Sequence, residues 1–226
     1  MSKLNVDEIR SADRSTDSSA NMTFADDGNV SLGGTLSAGT LGSSVVVPAS
    51  IGGTMVYLEK FTASNTAEKI FNLDSYTSYN KYLFSFIDIR PATDGADFQM
   101  VAGTGSSSFH TSAGDYRGAM DYAYYDGSNS GNTQDTWKDL FYKGLGVGDS
   151  SGEGLCGQLF IYNPLNPSFA TSLNGTMTYV STAHYVRGQS VGCVRMADTD
   201  DAYFRMKFSS GNISLGTITL YGIKDA

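Results

Sequence analysis

Long hydrophobic runs are absent from this sequence. The apolar stretches are short, and the run Val45–Val47, for example, ends at Pro48. A membrane-spanning helix needs about 20 consecutive apolar residues, so we expect no membrane insertion. The first five residues also lack the apolar segment of a signal peptide, and we therefore expect no secretory leader.

Positive charge is also scarce. The chain has 15 Lys and Arg residues against 23 Asp and Glu residues, and its formal net charge is −8. Proteins that bind nucleic acid carry basic patches that contact the phosphates, so we expect no nucleic-acid partner. Only 17% of the residues are charged, whereas 26 are glycine and 14 are tyrosine. This mixture is typical of short strands joined by tight turns under a surface rich in Tyr, Ser and Asn.

Cysteine and histidine are nearly absent. The two cysteines, Cys156 and Cys193, belong to no C-x-x-C motif and are too few for a metal framework. We predict that both are reduced structural residues, with a disulfide as the alternative. The only histidines are His110 and His184, and neither belongs to an H-E-x-x-H motif. We therefore expect no catalytic residue, no cofactor and no enzymatic activity.

Residues 1–54 are poor in aromatic side chains, and Phe24 is the only one. Such a segment cannot build a core of its own. It nevertheless carries spaced apolar residues, and the turn sequence D-D-G-N between Phe24 and Val30 predicts a small hairpin. The apolar set consists of Leu4, Val6, Ile9, Met22, Phe24, Val30, Leu32 and Leu36.

We call residues 1–54 the arm, and its apolar set has three interpretations. The favoured one is burial against other chains, in which three copies wind round a common axis and each contributes one apolar residue per layer. The alternatives are a disordered segment and an arm that packs on its own domain. The favoured interpretation predicts a homotrimer, with attachment to other proteins through the arm.

Residues 55–226 have the composition of a globular domain. Apolar residues recur with period two in roughly nine to eleven segments, and no stretch of ten residues has helical periodicity. Tyr82–Arg90 carries apolar residues on both faces, which predicts a central strand buried on two sides. The predicted fold class is all-β: an antiparallel jelly-roll β-sandwich with an extended, β-rich N-terminal arm.

The stretch Tyr203–Ile223 gives the most detailed expectation. Phe204, Met206 and Phe208 alternate with polar residues, so these three side chains are predicted to face the core. After an S-S-G-N turn the apolar residues resume, but their parity reverses at Gly216. The reversal predicts a bulge or strand break at this glycine.

Four segments carry a resemblance to a known class of protein. They read Y-L-F-S-F-I-D-I-R-P-A-T-D-G-A-D-F-Q-M, Q-L-F-I-Y-N-P and F-S-S-G-N-I-S-L-G-T-I-T-L-Y-G-I in the domain, and M-T-F-A-D-D-G-N-V-S-L-G-G-T-L in the arm. Residues 55–226 resemble the C-terminal domains of tail-fibre and other virion surface proteins of marine bacteriophages, and the arm resembles their attachment and shaft segments. The resemblance implies a homotrimer on the virion exterior, assembled in the cytoplasm of the bacterial host.

A tyrosine-rich segment followed by a polar loop, residues 126–135, is the candidate binding region. Aromatic faces stack on the C–H surfaces of sugars, and amide groups bond their hydroxyls. The candidate residues are Tyr122, Tyr124, Tyr125, Asn129, Asn132 and Trp137. The alternative is that part of these aromatics belongs to the core and the rest is scattered over the surface.

Two groups of aspartates are weak candidates for Ca²⁺ ligands. One group is Asp198, Asp200 and Asp201, and the other is Asp94 with Asp97. Neither fits the EF-hand pattern, and aspartates in such positions more often make Asx-turns between strands. We therefore predict no metal site.

Three functions are consistent with these patterns. The favoured one is a non-enzymatic fibre or spike that displays a jelly-roll domain for contact with a host-surface glycan. The first alternative is a head decoration or tail adaptor protein with a purely structural role. The second is a small glycan hydrolase, which would need two carboxylates at roughly 5–9 Å with tuned pKa values.

Overall fold

The structure of the protein, a computed structural model, describes residues 8–9, 22–24, 30–32, 55–124, 128–133, 140–182, 185–196 and 200–224. The chain divides into two compact units, Met1–Val47 and Pro48–Ala226. The boundary predicted from composition, between residues 54 and 55, falls seven residues further along the chain, and residues 48–54 lie outside the described parts.

The first unit contains a small antiparallel sheet. Its strands are β1 (Glu8–Ile9), β2 (Met22–Phe24) and β3 (Val30–Leu32), in the order β1-β2-β3. Met22 pairs with Leu32, and Phe24 pairs with Val30. The hairpin predicted on either side of the D-D-G-N turn is therefore confirmed. Leu4, Val6 and Leu36 lie outside the described residues.

The second unit consists almost entirely of strands in its described part, with one short 3₁₀ helix at Leu73–Tyr76 and no α-helix. The strands are β4 (Met55–Thr62), β5 (Glu68–Asn72), β6 (Lys81–Pro91), β7 (Ala96–Gly105), β8 (Ser108–Phe109), β9 (Tyr116–Tyr124), β10 (Asn129–Thr133), β11 (Tyr142–Val147), β12 (Leu155–Tyr162), β13 (Ser172–Val180), β14 (Val186–Arg195), β15 (Tyr203–Phe208) and β16 (Ile213–Ile223).

The strands form two antiparallel sheets with jelly-roll connections. The five-stranded sheet has the order β11-β7-β15-β5, with β8 added beside β7, and the eight-stranded sheet has the order β10-β9-β14-β13-β12-β6-β16-β4. Eight of these strands, four in each sheet, reproduce the strand order of a jelly roll: β4-β16-β6-β12 in one sheet and β5-β15-β7-β11 in the other. The predicted all-β, antiparallel jelly-roll sandwich is confirmed.

Two insertions enlarge this jelly roll. Strands β8 to β10 lie between β7 and β11 in sequence, and the hairpin β13–β14 lies between β12 and β15. Four of the inserted strands extend the larger sheet beyond β12, in the order β13-β14-β9-β10. The sequence predicted a loop over residues 126–135, but Asn129–Thr133 pairs with β9 as strand β10. Its backbone ladder forms without the apolar alternation that marks a buried strand.

The core lies between the two sheets and is rich in aromatic rings. Phe84 of β6 contacts Phe71 and Phe204 of the opposite sheet, with ring centroids 5.0 and 6.0 Å apart. Phe204, Met206 and Phe208 are at most 3% exposed, which confirms the predicted inner face of β15. Aromatic pairs of this kind add to the burial of apolar area, which is the main stabilising term.

The prediction that β6 is buried on both faces is wrong at Ile87, which is 59% exposed, although Leu83 on the same face is buried. The outer face of the larger sheet carries no covering layer over Ile87 in the described residues. Asp88 has a left-handed backbone (φ 52°), and the register of β6 shifts beside it. This irregularity turns Ile89 back into the core, where it is fully buried.

The predicted irregularity at Gly216 is confirmed. The pairing of β16 with β6 shifts register on both sides of Leu215, and Gly216 has a φ of +113°. Ile213 before the shift and Ile218 after it are both fully buried. The bulge therefore keeps both halves of β16 in contact with the core although their sequence parities differ.

Candidate ligand-binding pocket

A pocket of about 270 Å³ opens where β9 ends and β14 begins. It is lined by Tyr124, Ser128, Tyr185 and Arg187. Tyr124 and Arg187 are paired across β9 and β14, so their side chains project from the same face of the sheet. Both are half-buried, and Tyr185 is 44% exposed. The pocket therefore presents two aromatic rings and one cation to the surface.

Strand alternation explains why these residues come together. The inner face of β9 carries Tyr116, Met120 and Tyr122, and Tyr124 continues the same parity at the end of the strand. On β14, Gln189 is inward and Arg187 precedes it with the same parity. At this end of the strands, that parity places the two side chains at the margin of the core instead of within it.

Arg187 is held in place by three contacts. Its Nη1 donates a hydrogen bond to the Leu145 carbonyl oxygen at 2.7 Å, and its guanidinium carbon lies 5.6 Å from the centroid of the Tyr124 ring. The guanidinium also lies beside the Tyr179 hydroxyl and lowers the pKa of that group, although burial outweighs it and the net shift is upward. Among the described residues no carboxylate pairs with Arg187, so its positive charge is not neutralised there.

A buried hydrogen-bond network surrounds the backbone segment that Arg187 contacts. The Tyr142 hydroxyl donates to Gln189 Oε1 at 2.7 Å, and Gln189 Nε2 donates to the Lys143 carbonyl oxygen at 3.0 Å. The Leu145 amide donates to the Tyr179 hydroxyl oxygen at 3.0 Å. Burial raises the pKa of Tyr142 and of Tyr179 above the ordinary value, so both hydroxyls remain neutral. Side chains of the larger sheet thus satisfy backbone groups of β11, including those of Leu145, whose carbonyl oxygen holds Arg187.

The sequence-based candidates are only partly brought together here. Tyr124 lines the pocket, whereas Tyr122 is 3% exposed, belongs to the core and contributes to the lining of a neighbouring groove. So little of its ring is exposed that it offers no face for stacking on a ligand in this structure. Asn129 and Asn132 lie in β10, beside β9. Tyr125 and Trp137 lie outside the described residues.

The sequence analysis did not single out Tyr185 or Arg187, and it included Ser128 only as part of the polar loop, residues 126–135. Arg187 and Tyr185 share the parity of the buried residues of β14. An arginine at an inward-facing position is the sequence feature that could have indicated a functional role for Arg187. The pairing of β14 with β9 was not visible in the sequence, because the two strands are separated by several others along the chain.

A shallow groove of about 520 Å³ lies on the outer face of the same strands. Three polar residues are cross-strand neighbours in this groove: Asp121 on β9, Ser190 on β14 and Thr176 on β13. Beside them, Gly188 has no side chain, and only one backbone oxygen lies within 4 Å of where its Cβ would be. The groove is therefore open at this glycine. These carboxylate and hydroxyl groups offer hydrogen bonds to a polar ligand. Tyr122 also lines the groove, but it is only 3% exposed and offers little aromatic surface for stacking.

His110, Arg195 and Asp201 form a buried ionic cluster at one end of the sandwich. His110 Nε2 and Arg195 Nε each lie 3.1 Å from Asp201 Oδ1, and His110 Nδ1 lies 3.2 Å from Arg195 Nη2. Burial raises the pKa of the Asp201 carboxyl to about 6, against the lowering effects of Thr171 and Arg195. Burial, followed by the charge of Arg195, lowers the pKa of His110.

The cluster bears on two possibilities raised by the sequence: a metal site at the aspartates and a catalytic histidine. Asp201, a weak metal candidate, is fully buried and is neutralised by Arg195, whereas Asp200 is exposed and Asp198 lies outside the described residues. Both ring nitrogens of His110 face charged partners, which leaves neither nitrogen to activate a nucleophile. The cluster instead joins three chain segments: His110 directly follows β8, Arg195 ends β14, and Asp201 precedes β15. His184 lies outside the described residues.

The segment Gly148–Gly152 reads G-D-S-S-G and so matches the G-x-S-x-G pattern. In hydrolases this pattern makes a sharp turn from a strand into a helix. Here it lies in a turn between strands β11 and β12, and the Ser150 hydroxyl faces Asp149 Oδ1 at 3.3 Å. The segment therefore lacks the structural context of a nucleophile elbow.

Asp94, Asp149 and Glu153 place carboxylate oxygens within 4.8 Å of one another. Glu153 Oε2 already accepts a hydrogen bond from the Ser150 amide at 2.9 Å. Ca²⁺ takes roughly six to eight oxygen ligands, so three carboxylates, one of them engaged, are an incomplete site. Asp97, the other sequence candidate of this region, pairs with Lys143 at 2.9 Å.

Cys156 is exposed and Cys193 is buried, and no disulfide joins them in this structure; that both are reduced stays a prediction. In the described residues, no helix is long and apolar enough to cross a membrane. No protein family, curated protein or solved structure matches the chain.

Proposed function

We propose that this chain is a non-enzymatic fibre or spike protein of a bacteriophage virion, and that its jelly-roll unit binds a glycan on the surface of the host. Support for the virion role comes from the resemblance of the four quoted segments. Support for glycan binding comes from one observation: the pocket places Tyr124 and Tyr185 beside Arg187 at the surface of a rigid sheet.

The chemistry of the pocket suits a sugar ring. Tyrosine rings offer flat apolar faces that cover the C–H surface of a sugar, and they lose little conformational entropy when they do so. The Arg187 guanidinium offers several N–H donors in a fixed plane, which suits hydroxyl or carboxylate oxygens. The net charge of −8 gives no long-range attraction to an anionic cell surface, so affinity would arise from these local contacts.

Removing either tyrosine of the pocket should weaken binding to host cells. We expect Tyr124→Ala and Tyr185→Ala each to lower affinity about tenfold, because tyrosines are enriched among the residues that dominate binding energy, and a loss of about 1.4 kcal/mol is a tenfold change. Tyr57→Ala is the matched control, since Tyr57 is 59% exposed on β4 at the opposite edge of the same sheet. The measurement is equilibrium binding of the labelled protein to host cells and to purified host polysaccharide.

Equal affinity of the wild type and both pocket variants would reject this pocket as the binding site. An absence of binding in the wild type would reject host contact altogether and favour the structural alternative, a head decoration or tail adaptor protein. One observation favours that alternative: Met55, Tyr57, Ile87 and Leu215 are large apolar residues that are exposed on strands of the larger sheet, where a neighbouring virion protein would cover them.

We also propose that the arm, residues 1–54, assembles the protein as a homotrimer and attaches it to other virion proteins. The apolar residues of the arm are too few for a core within one chain. Light scattering of the full chain should therefore give three times the chain mass of 24.1 kDa, and residues 55–226 alone should give the monomer mass. A monomeric full chain would contradict the proposal.

A further inference from the structure

The outer face of the five-stranded sheet carries a second, chemically different concavity. It has a volume of about 160 Å³ and is lined by Gln99, Val101, Thr111, Leu140, Arg205 and Lys207. Two of these residues are cations, two are polar and neutral, and none is a carboxylate. In a chain with a net charge of −8, this composition is unusual enough to require an explanation.

Strand alternation places the two cations on this face. The inner side of β15 carries Phe204, Met206 and Phe208, so Arg205 and Lys207 point outward. Residues two apart on a strand are about 7 Å apart, and Lys207 is paired with Gln99 of β7. The side chains of Arg205, Lys207 and Gln99 therefore surround one point on the sheet.

Arg205 is oriented before any ligand arrives. Its guanidinium carbon lies 4.3 Å from the centroid of the Phe109 ring on β8. Strand β8 lies close over β7 because Gly103 has no side chain; a Cβ there would come within 2.8 Å of Phe109 Cδ1. Stacking on an aromatic ring fixes the plane of a guanidinium, so its remaining N–H groups keep a defined direction.

Neither cation has a close carboxylate partner within the described residues. Arg205 Nε is buried without a hydrogen-bond partner, and its ion pair with Glu68 is long, at 3.9 Å. Glu68 of β5 is also the cross-strand neighbour of Lys207. Lys207 has no ion pair in the described part of the chain. By contrast, Arg90 pairs with Asp88 at 2.6 Å. A buried guanidinium N–H without an acceptor is costly, and an anion in the pocket would supply acceptors close to it.

We propose that this pocket binds an oxyanion, either a free sulfate-like ion or the carboxylate or sulfate group of an acidic saccharide. Arg205 would donate from its planar guanidinium, and Lys207 would act as a point charge. The Gln99 amide and the Thr111 hydroxyl would complete the set of donors. The saccharide form of the ligand rests on the proposed function, whereas the anion site itself does not.

The test titrates the ¹⁵N-labelled full chain with sodium sulfate, with ionic strength held constant by sodium chloride. The expected result is a saturable shift of the backbone amide signals of Gln99, Thr111, Arg205 and Lys207. Lys207→Met should weaken sulfate binding about tenfold or more, because hydrogen bonds to charged groups are among the stronger ones. Lys207→Arg should retain binding. Lys60→Met is the matched control, since Lys60 is an exposed cation on β4 of the other sheet.

A second titration compares a glucuronate-containing oligosaccharide with a neutral oligosaccharide of the same length. Preference for the acidic one, lost in Lys207→Met and kept in Tyr124→Ala, would assign the anion to a saccharide. If sulfate binds but the acidic oligosaccharide is not preferred, the anion site is supported and its assignment to an acidic saccharide is rejected. Shifts that sodium chloride reproduces, or equal sulfate affinity in Lys207→Met, would overturn the proposal. Loss of cell binding in Tyr124→Ala with sulfate binding unchanged would separate the two sites.

Discussion

Gly216→Ala is expected to lower the free energy of unfolding by about 3 kcal/mol or more. Gly216 has a φ of +113°, a region that side chains rarely adopt. A Cβ at this position would collide with the Asp88 carbonyl oxygen and come within 2.8 Å of Ile89 Cα. Both contacts are with the backbone of β6, which cannot retreat without breaking its ladder with β16. The free-energy costs of backbone strain and of overpacking would therefore add.

The matched control for this variant is Gly192→Ala. Gly192 also lies in a strand of the larger sheet, but no atom lies within 4 Å of where its Cβ would be. We expect a change within about 0.5 kcal/mol for this exposed substitution. Urea unfolding monitored by fluorescence measures both variants against the wild type. Equal effects of the two substitutions would show that the bulge at Gly216 tolerates a side chain.

Strand parity was the part of the fold that the sequence could predict. The inward face of β15 and the reversal at Gly216 follow from the alternation of Phe204, Met206 and Phe208 and from the glycine after it. Burial on one face fixes the register of a strand, since a shift by one residue would expose every apolar side chain. The same rule places Arg205 and Lys207 on the outer face.

The pairing of distant strands was not predictable from the sequence. Tyr124 and Arg187 meet because β14 lies beside β9, and this neighbourhood depends on two insertions that join the same edge of the larger sheet. The prediction that Ile87 is buried was wrong for a related reason. An apolar side chain shows that a position is suited to burial, but the sequence does not show whether another layer of the fold covers it.

The burial of charged side chains was also not predictable from the sequence. Asp201 sits in an aspartate-rich turn and therefore suggested a metal ligand, whereas the fold places it fully buried beside Arg195 and His110. These three residues come from separate segments, so no local spacing indicates their contact. Their contact depends on the pairing of distant strands, and it buries the Asp201 carboxylate fully.

Arg195→Met is expected to destabilise the protein by about 3–5 kcal/mol near pH 8, because it leaves the buried Asp201 carboxylate without its arginine partner. Adding Asp201→Asn should recover part of this loss, since it removes the unpaired charge. Lys143→Met is the control: it breaks a partly exposed pair with Asp97, whose side chain is 26% exposed, and such pairs contribute about 0–1 kcal/mol.

The loss caused by Arg195→Met should also shrink as the pH falls. The pKa of Asp201 is raised to about 6 by burial, from an ordinary value of 3.8, so the folded state binds this proton more tightly than the unfolded state does. The contribution of Asp201 to stability therefore grows as the pH falls through 6. Removal of the Arg195 charge lets Asp201 take up its proton at a higher pH.

His110 acts in the same direction, because Arg195 is one cause of its lowered pKa. Without that charge the imidazole accepts a proton more readily and becomes a cation beside Asp201. Urea unfolding of the wild type and Arg195→Met at about pH 5.5 and pH 8 measures the difference. A destabilisation that stayed constant or grew toward low pH would show that the cost arises from lost packing of the arginine side chain and not from the uncompensated carboxylate.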